Sequence, residues 1–303
     1  MAITLAQLGS FLAVVRSGSI TAAADELVVT QPSVSAAVSA LSKEIGVDLT
    51  ERIGRGVRPS PAGRAFVPYA ADVLGLLRQG EQAAREAADA DRTRLRISAV
   101  TTAGEFIVAP LIEGFAARFP GLDITLHVGN RDEVFGRVAD HESDVAISGR
   151  PPDDGRLVGQ PFADADYVLI TSPGDPFAAR RSVPPGELSQ RSWLLREQGS
   201  GTRTLCEQYL ALNDLEPRIL TLGSNGAIKH AVRTGLGVSL QSRVAVELEL
   251  RSRLLATIAV RGGLPWREWH VLRSAVGPVR EPTEEFISYV MTDAARVALE
   301  SWR

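Results

Sequence analysis

Apolar residues recur at helical intervals through the first fifth of the chain. Leu5, Leu8, Phe11, Leu12 and Val15 fall on one face of a helix. Gly18 fits the position just past its end, and Ser19 is a natural N-cap for a second helix over residues 20–27. Thr30 caps a third, with Pro32 in its first turn, where a missing N–H is harmless. Val34, Val38, Leu41 and Ile45 form that helix's buried stripe. Gln31, Pro32, Ser33, Ala36, Ala37 and Ala40 are left on or near the opposite side. Solvent faces usually carry Lys and Glu, so a face of Ser and Ala that opens on Gln is unusual. Small residues admit base edges and thymine methyls, and Gln hydrogen-bonds adenine. Two short helices joined by a tight turn, the second well capped, are how a helix end is presented to the major groove of DNA. The alternative is a helix packed between two others.

Residues 51–60 read Glu-Arg-Ile-Gly-Arg-Gly-Val-Arg-Pro-Ser, a turn-and-strand pattern that predicts a hairpin wing. Arg52, Arg55 and Arg58 there would meet phosphates or enter the minor groove; a flexible basic loop is the plainer reading. Ser60-Pro61-Ala62 then opens a long helix. Ala62, Phe66, Tyr69, Val73, Leu76 or Leu77, Ala83 and Ala87 keep a heptad-like spacing to about residue 90. About 29 residues span roughly 43 Å. So long a helix between domains predicts a partner helix from a second subunit, with Gly75 and Gly80 as weak points.

From residue 95 the period changes. Strands are expected at 94–100, 124–128, 145–148, 167–171, 193–195, 219–222 and 237–240. Helices are expected around 205–212, from 225, and along Ile107, Leu111, Phe115 and Phe119, the last kinked at Pro110. Alternating strand and helix argue for parallel sheets, arranged as two lobes with a cleft rather than one doubly wound sheet. Ligands bind off the carboxyl ends of such strands, where helix N-termini point. Three segments qualify: 100–104 with Thr101 and Thr102; 197–203 with Gln198, Ser200, Thr202 and Arg203; and 223–225 with Asn225. Hydroxyls, amides and free backbone N–H groups at helix starts favour an anion. Gly199 and Gly201 let the backbone bend toward it, and Arg203 and Arg150 add charge-assisted contacts. Asn130-Arg131 is a weaker candidate. A plain helix cap explains any one hydroxyl; three converging segments favour a site.

Composition adjusts this picture in a few places. The chain has 303 residues, 45% hydrophobic and 23% charged, which predicts two or three packed domains. A net charge of −3 alone argues against nucleic acid. Residues 1–65, however, carry six basic groups (Arg16, Lys43, Arg52, Arg55, Arg58 and Arg64) against five acidic ones, a net of +1. The one cysteine, Cys206, cannot form an internal disulfide and suggests a reducing compartment. It reads as a small helix residue rather than a reactive thiol. No basic leader followed by an apolar run is seen, and no apolar stretch nears the ~20 residues that span a membrane. A cytoplasmic protein is expected. His127, His141, His230 and His270 lack metal-ligand spacing, no Gly-x-Ser-x-Gly elbow occurs, and 199–202 lacks the Gly-Lys of a P-loop. Neither an enzyme nor a cofactor is expected.

Taken together, these residues resemble the LysR-type transcriptional regulators over essentially the whole length. Phe11, Gly18-Ser19, Ala22-Ala23-Ala24, Leu27, Thr30-Gln31-Pro32-Ser33-Val34-Ser35, Leu41, Gly46, Arg52 and Pro61-Ala62-Gly63 carry the resemblance. It implies a winged helix-turn-helix DNA-binding domain at 1–60, a linker and dimerisation helix at 61–91, and an effector-binding domain at 92–303. That domain would be α/β and two-lobed, like periplasmic binding proteins. Lobe I would take 92–163 and 268–303 and lobe II 164–267, with crossings near 164–167 and 266–271. DNA contacts would come from Ser19, Thr21, Thr30, Gln31, Pro32, Ser33, Ser35, Ala36, Arg52, Arg55 and Arg58. Effector contacts would come from Thr101, Thr102, Arg150, Gln198, Ser200, Thr202, Arg203 and Asn225. Implied partners are operator DNA, a small anion, RNA polymerase and further copies of the chain, as homodimer and homotetramer.

The chain departs from the family pattern at Ala36 and Ala37, usually basic or amide, and at Ser42, usually acidic. That alters base contacts but not the fold. More narrowly, residues 128–131, 146–152, 199–203 and 224–225 with Ile228-Lys229 resemble the branch of CbbR-type regulators of carbon-fixation operons. Their effectors are phosphorylated sugars and other anionic metabolites. The same motifs also resemble regulators of cysteine and sulfur metabolism. A transporter's solute-binding protein would share the two lobes but not the helix-turn-helix.

Overall fold

The computed structural model describes residues 3–54, 56–88 and 93–300. The chain divides into two compact units, residues 1–90 with 140–142, and residues 91–139 with 143–303.

In the first unit, α1 (Leu5–Ser17) opens on a reciprocal cap. The Thr4 hydroxyl accepts from Gln7 N, and the Gln7 side chain accepts from Thr4 N. It stops at Gly18, whose φ of 66° needs no Cβ. α2 (Ile20–Leu27) is capped by Ser19 and α3 (Gln31–Ile45) by Thr30. Val28, between α2 and α3, holds a φ of 56° with 90% of its surface exposed, a strained conformation for a β-branched residue. β1 (Thr50–Ile53) and β2 (Gly56–Pro59) pair as an antiparallel hairpin, and α4 (Pro61–Ala88) follows. Buried Ala23 and Ala24 let the short helices close around Phe11, Val34 and Leu41. Gly63 is required for packing, since a Cβ there would lie 1.9 Å from the Leu49 carbonyl oxygen.

The apolar stripe read along α4 divides into two rows. Ala62, Phe66, Ala70 and Leu74 pack into the first unit's core, with the Phe66 ring 5.8 Å from that of Phe11. Tyr69, Val73 and Leu77 form a neighbouring row that stays 69%, 48% and 42% exposed.

The second unit begins with β3 (Arg94–Val100), which runs straight into α5 (Thr101–Phe106) and then α6 (Val108–Ala116). One helix kinked at Pro110 was expected. Instead the break falls at Ile107, and Pro110 sits in the first turn of α6, where its absent N–H costs nothing. β4 (Asp123–Gly129), α7 (Arg131–Ala139), β5 (Val145–Ser148), β6 (Leu157–Ala165) and β7 (Tyr167–Thr171) follow. Then come β8 (Trp193–Leu195), α8 (Gly201–Leu212), β9 (Ile219–Thr221), α9 (Asn225–Arg233), β10 (Ser239–Ser242), α10 (Glu247–Arg251) and β11 (Ala256–Thr257). β12 (Arg267–Ser274), α11 (Glu281–Val290) and α12 (Asp293–Glu300) complete the chain.

These strands build two lobes. The first has a five-stranded sheet in the order β4-β3-β5-β12-β6. β4, β3 and β5 are parallel, whereas β12 runs antiparallel to β5 and β6. The second holds β10-β7-β11, antiparallel throughout, and a parallel β8-β9 pair. Parallel pairing alone was expected. It fails where strands pass between lobes without an intervening helix, as β6 does into β7. Packing is separate in each lobe. Phe115 meets Phe286 edge-on at 5.1 Å in the first, and Trp193 stacks on Tyr209 at 5.9 Å in the second. Cys206 is buried in α8, and burial pushes its thiol up to about 12. Among the described residues no helix is long and apolar enough to cross a membrane.

One buried ion cluster fastens the first lobe. Asp144, just before β5, accepts from Arg96 N at 2.8 Å, from the Arg96 guanidinium at 2.8 and 3.2 Å, and from Arg280 at 2.7 Å. Burial alone would raise its carboxyl pKa, but the Arg96 hydrogen bonds and the Arg96 and Arg280 charges hold it below the ordinary value. A carboxylate depressed on folding stabilises the native state above its unfolded pKa of about 3.9, and that contribution is lost as pH falls through the folded value. Asp144→Asn is expected to cost about 3–5 kcal/mol at neutral pH, because the mutation removes a buried, charge-assisted partner shared by Arg96 and Arg280. In urea titrations the gap between variant and parent should narrow below about pH 4. A variant that unfolds at the parent's midpoint would show that this cluster does not hold the sheet.

Candidate DNA-binding surface and ligand cleft

On the first unit, the early turns of α3 carry Gln31, Pro32, Ser33, Ser35 and Ala36 in the open, while Ala37 and Ala40 are half-buried. Thr21 is exposed on α2. Ser19 and Thr30 are engaged as caps: Ser19 Oγ accepts from Ala22 N, and Thr30 Oγ1 accepts from Ser33 N, each at 3.4 Å. The hairpin is tied to this surface, because Val57 N donates to the Gly18 carbonyl at 2.9 Å. A Cβ on Gly56 would come within 3.2 Å of that same oxygen. A backbone contact therefore fastens the wing to the turn after α1. Arg52 is exposed on the hairpin. Arg58 donates from Nε to Glu51 Oε1 at 2.6 Å, which offsets the positive charge Arg58 brings to the wing. Arg55 lies outside the described residues.

The second unit holds a cleft of about 660 Å³ between its two lobes, a size suited to a small organic molecule. Of the residues proposed from the sequence, Thr101, Thr102, Arg150, Ser200 and Thr202 line it. Gln198, Arg203 and Asn225 are not among the lining residues, and two of them have evident structural tasks. Arg203 donates to Glu207 at 2.7 Å, to the Arg196 carbonyl at 2.9 Å and to Thr221 at 3.1 Å. Asn225, 1% exposed, accepts from Arg196 at 2.6 Å and donates to Glu105 at 2.9 Å and Thr102 at 3.4 Å. Thr101 is partly occupied too: its hydroxyl donates to the Gly129 carbonyl and accepts from Arg196, both at 3.2 Å. Ser200 is placed differently. It stands at the N-cap of α8, its hydroxyl makes no cap bond to the helix backbone, and it is buried at 5%.

Sequence reasoning gave no ligand role to the charge at the centre. Arg196, 3% exposed, lies at the end of β8, one residue before a segment that was singled out. Glu197 neutralises part of its charge at 2.7 and 2.9 Å. Burial would raise the Glu197 carboxyl, but Arg196 brings it below its usual range. Arg131, Arg150 and Arg267 also line the cleft. Arg131 stacks over Phe135 at 4.5 Å, and Arg267 donates to the Gly201 carbonyl at 3.1 Å and to Gln208 at 3.0 Å. Burial lowers the Arg267 pKa, with Tyr167 opposing and the Arg131 charge adding to the effect. An arginine stays charged at neutral pH even so. Lining carboxylates are fewer, Asp153 and Glu268. The balance favours an anion.

Trp266, Trp269, His270 and Ser148 complete the wall. Ser148 Oγ is fully buried and has no hydrogen-bond partner among the described residues, a state that costs about 1–3 kcal/mol unless something fills it. No cluster of three or more metal-ligating side chains occurs among the described residues.

Residues 88–295, which contain the whole cleft, match the LysR substrate binding domain, and residues 5–64 match the bacterial regulatory helix-turn-helix of the lysR family. The chain belongs to the LysR family of transcriptional regulators. This LysR-type regulator is 33% identical over 97% of its length to the HTH-type transcriptional regulator CfxR of Cupriavidus necator, covering 93% of that protein. It is 33% identical to a RuBisCO operon transcriptional regulator of Allochromatium vinosum, with 98% of each chain covered. Among solved structures, the regulatory domain of Synechocystis PCC6803 CcmR in complex with 2-PG matches 66% of this chain and 96% of its own. The TM-score is 0.62 and the identity 30%.

The rim of the regulator's cleft is tightly drawn. Arg131 N donates to the Gly199 carbonyl at 3.0 Å. Gly199 has a φ of 81°, and a Cβ there would lie 3.2 Å from Asp132 and 3.3 Å from Asn130. Gly199→Ala is expected to destabilise the protein by about 1 kcal/mol or more, from backbone strain plus crowding at the rim. Thermal unfolding would register this as a lower midpoint; an unchanged midpoint would show that the rim relaxes freely.

Proposed function

We propose that this LysR-type regulator controls a carbon-fixation-type operon and that a small phosphorylated acid in the cleft modulates its operator binding. The observation that carries this is the buried Arg196 guanidinium in a cleft also lined by Arg131, Arg150 and Arg267. A desolvated guanidinium pairs with phosphate or carboxylate in a geometry that water does not match. The relatives named for the RuBisCO operon, and the 2-phosphoglycolate complex of a neighbour, support the pathway and the ligand class. They favour carbon fixation over sulfur metabolism.

On this reading the regulator binds its ligand without transforming it, and it works in the cytoplasm on double-stranded DNA. α3 enters the major groove with Gln31 leading, while Arg52 and its neighbours on the wing hold the backbone. The exposed row Tyr69, Val73 and Leu77 supports dimerisation along α4; effector domains then pair further into a tetramer that meets RNA polymerase. An anion acts only through its difference in affinity between lobe arrangements, and that difference biases how the assembled copies grip the operator.

Two outcomes test the assignment on DNA taken from beside the regulator's own gene. Gln31→Ala should lose specific footprints by tenfold or more while unfolding at the parent's midpoint; footprints of parental strength would remove α3 from recognition. For the parent, 2-phosphoglycolate should change the footprint. Arg196→Met and Thr202→Ala should keep the footprint but lose that change, and variants that still respond would place the ligand elsewhere.

A further inference from the structure

Ser148 and His270 fall outside the arginine chemistry of the cleft. They are directly opposed in the register of β5 and β12, and so share one face of the sheet. On that face their inward neighbours Ala146 and Leu272 pack beneath Val134 and Val138 of α7. Ser148 and His270 lie one step further out, where the sheet opens into the cleft. Ser148 is 0% exposed and its Oγ has no partner among the described residues; His270 is 7% exposed. His270 Nδ1 donates to the Glu268 carbonyl at 3.2 Å. In the neutral ring this leaves Nε2 as an acceptor. The backbone shifts register between Trp269 and His270, which re-aims the histidine relative to its neighbour on the strand.

The pair therefore offers an acceptor from the imidazole and a donor from the serine hydroxyl. A carboxylate or phosphate oxygen would satisfy the serine but face the imidazole lone pair. A hydroxyl satisfies both, donating to Nε2 and accepting from Ser148. We propose that Ser148 and His270 form a subsite for a hydroxyl group of the effector, while the arginines of the cleft take its phosphate. This rests on the phosphorylated-acid reading above and narrows it to hydroxylated phosphate esters, such as phosphorylated hydroxy acids and sugars.

The test is calorimetric titration of the full-length protein with matched ligands: 3-phosphoglycerate against its 2-deoxy analogue, and glycerol 3-phosphate against propyl phosphate. The parent should bind the hydroxylated member of at least one pair tenfold or more tightly. A site built to hydrogen-bond a hydroxyl rejects the analogue that lacks it. Ser148→Ala and, independently, His270→Phe should erase that preference while changing affinity for the deoxy analogue less than threefold, which also shows that the cleft is still folded. If the parent binds these esters without preferring the hydroxyl, or either folded variant keeps the preference, the hydroxyl subsite is wrong and the phosphorylated-acid reading stands. If the parent binds none of the four esters and does not respond to 2-phosphoglycolate, the parent reading falls and takes the subsite with it.

Discussion

A guanidinium taken out of water needs partners, and Arg196 organises much of the effector domain around that need. Glu197 offsets part of its charge, Asn225 and Thr101 each accept one further N–H, and two of these partners reach it from different lobes. Asn225 in turn holds Thr102 and Glu105 of α5. The same residues that satisfy one buried cation thereby bridge the two lobes. On the proposed function, an anion that competed for that cation would couple ligand binding to lobe geometry through a single side chain.

The residues that make the DNA-binding unit were largely legible in the sequence, because caps, turns and apolar periodicity are local signals. Gly18, Ser19 and Thr30 each act within a few residues of themselves, and their roles could be read from spacing alone. The cleft was legible only in part. Helix starts at 101 and 201 announce themselves, so Thr101, Thr102, Ser200 and Thr202 could be brought forward. Arg267, Ser148 and His270 sit on strands whose patterns show burial and give no sign of chemistry, and Arg196 lies just past the end of one; what matters about them is which segment lies alongside. The Ser148–His270 partnership arises from the β5–β12 pairing, across more than a hundred residues of chain. β6 was missed for a related reason. Its Gly159 and Pro161 argue against a strand, yet it lies at the sheet edge, where proline is tolerated.

The two units solve different packing problems with small residues. In the first, Ala23, Ala24 and Gly63 remove side chains so that helices and the Leu49 backbone come close. The result is a rigid platform whose outward face is also poor in large groups, with Gln31 the main hydrogen-bonding side chain at its leading end. In the second, Gly199 allows the cleft rim to close by a backbone contact. Close approach in one unit serves an external surface, and in the other it shapes an internal space.

Cys206 bears on how the regulator's motion can be watched. Its thiol is buried and held at about 12, so at neutral pH it remains protonated and shielded from alkylating dyes and oxidants. For labelling chemistry the native protein behaves as if it had no cysteine. A thiol introduced on each side of the cleft mouth would react without competition from the parent sequence, giving a spectroscopic ruler across the lobes in an otherwise unmodified regulator.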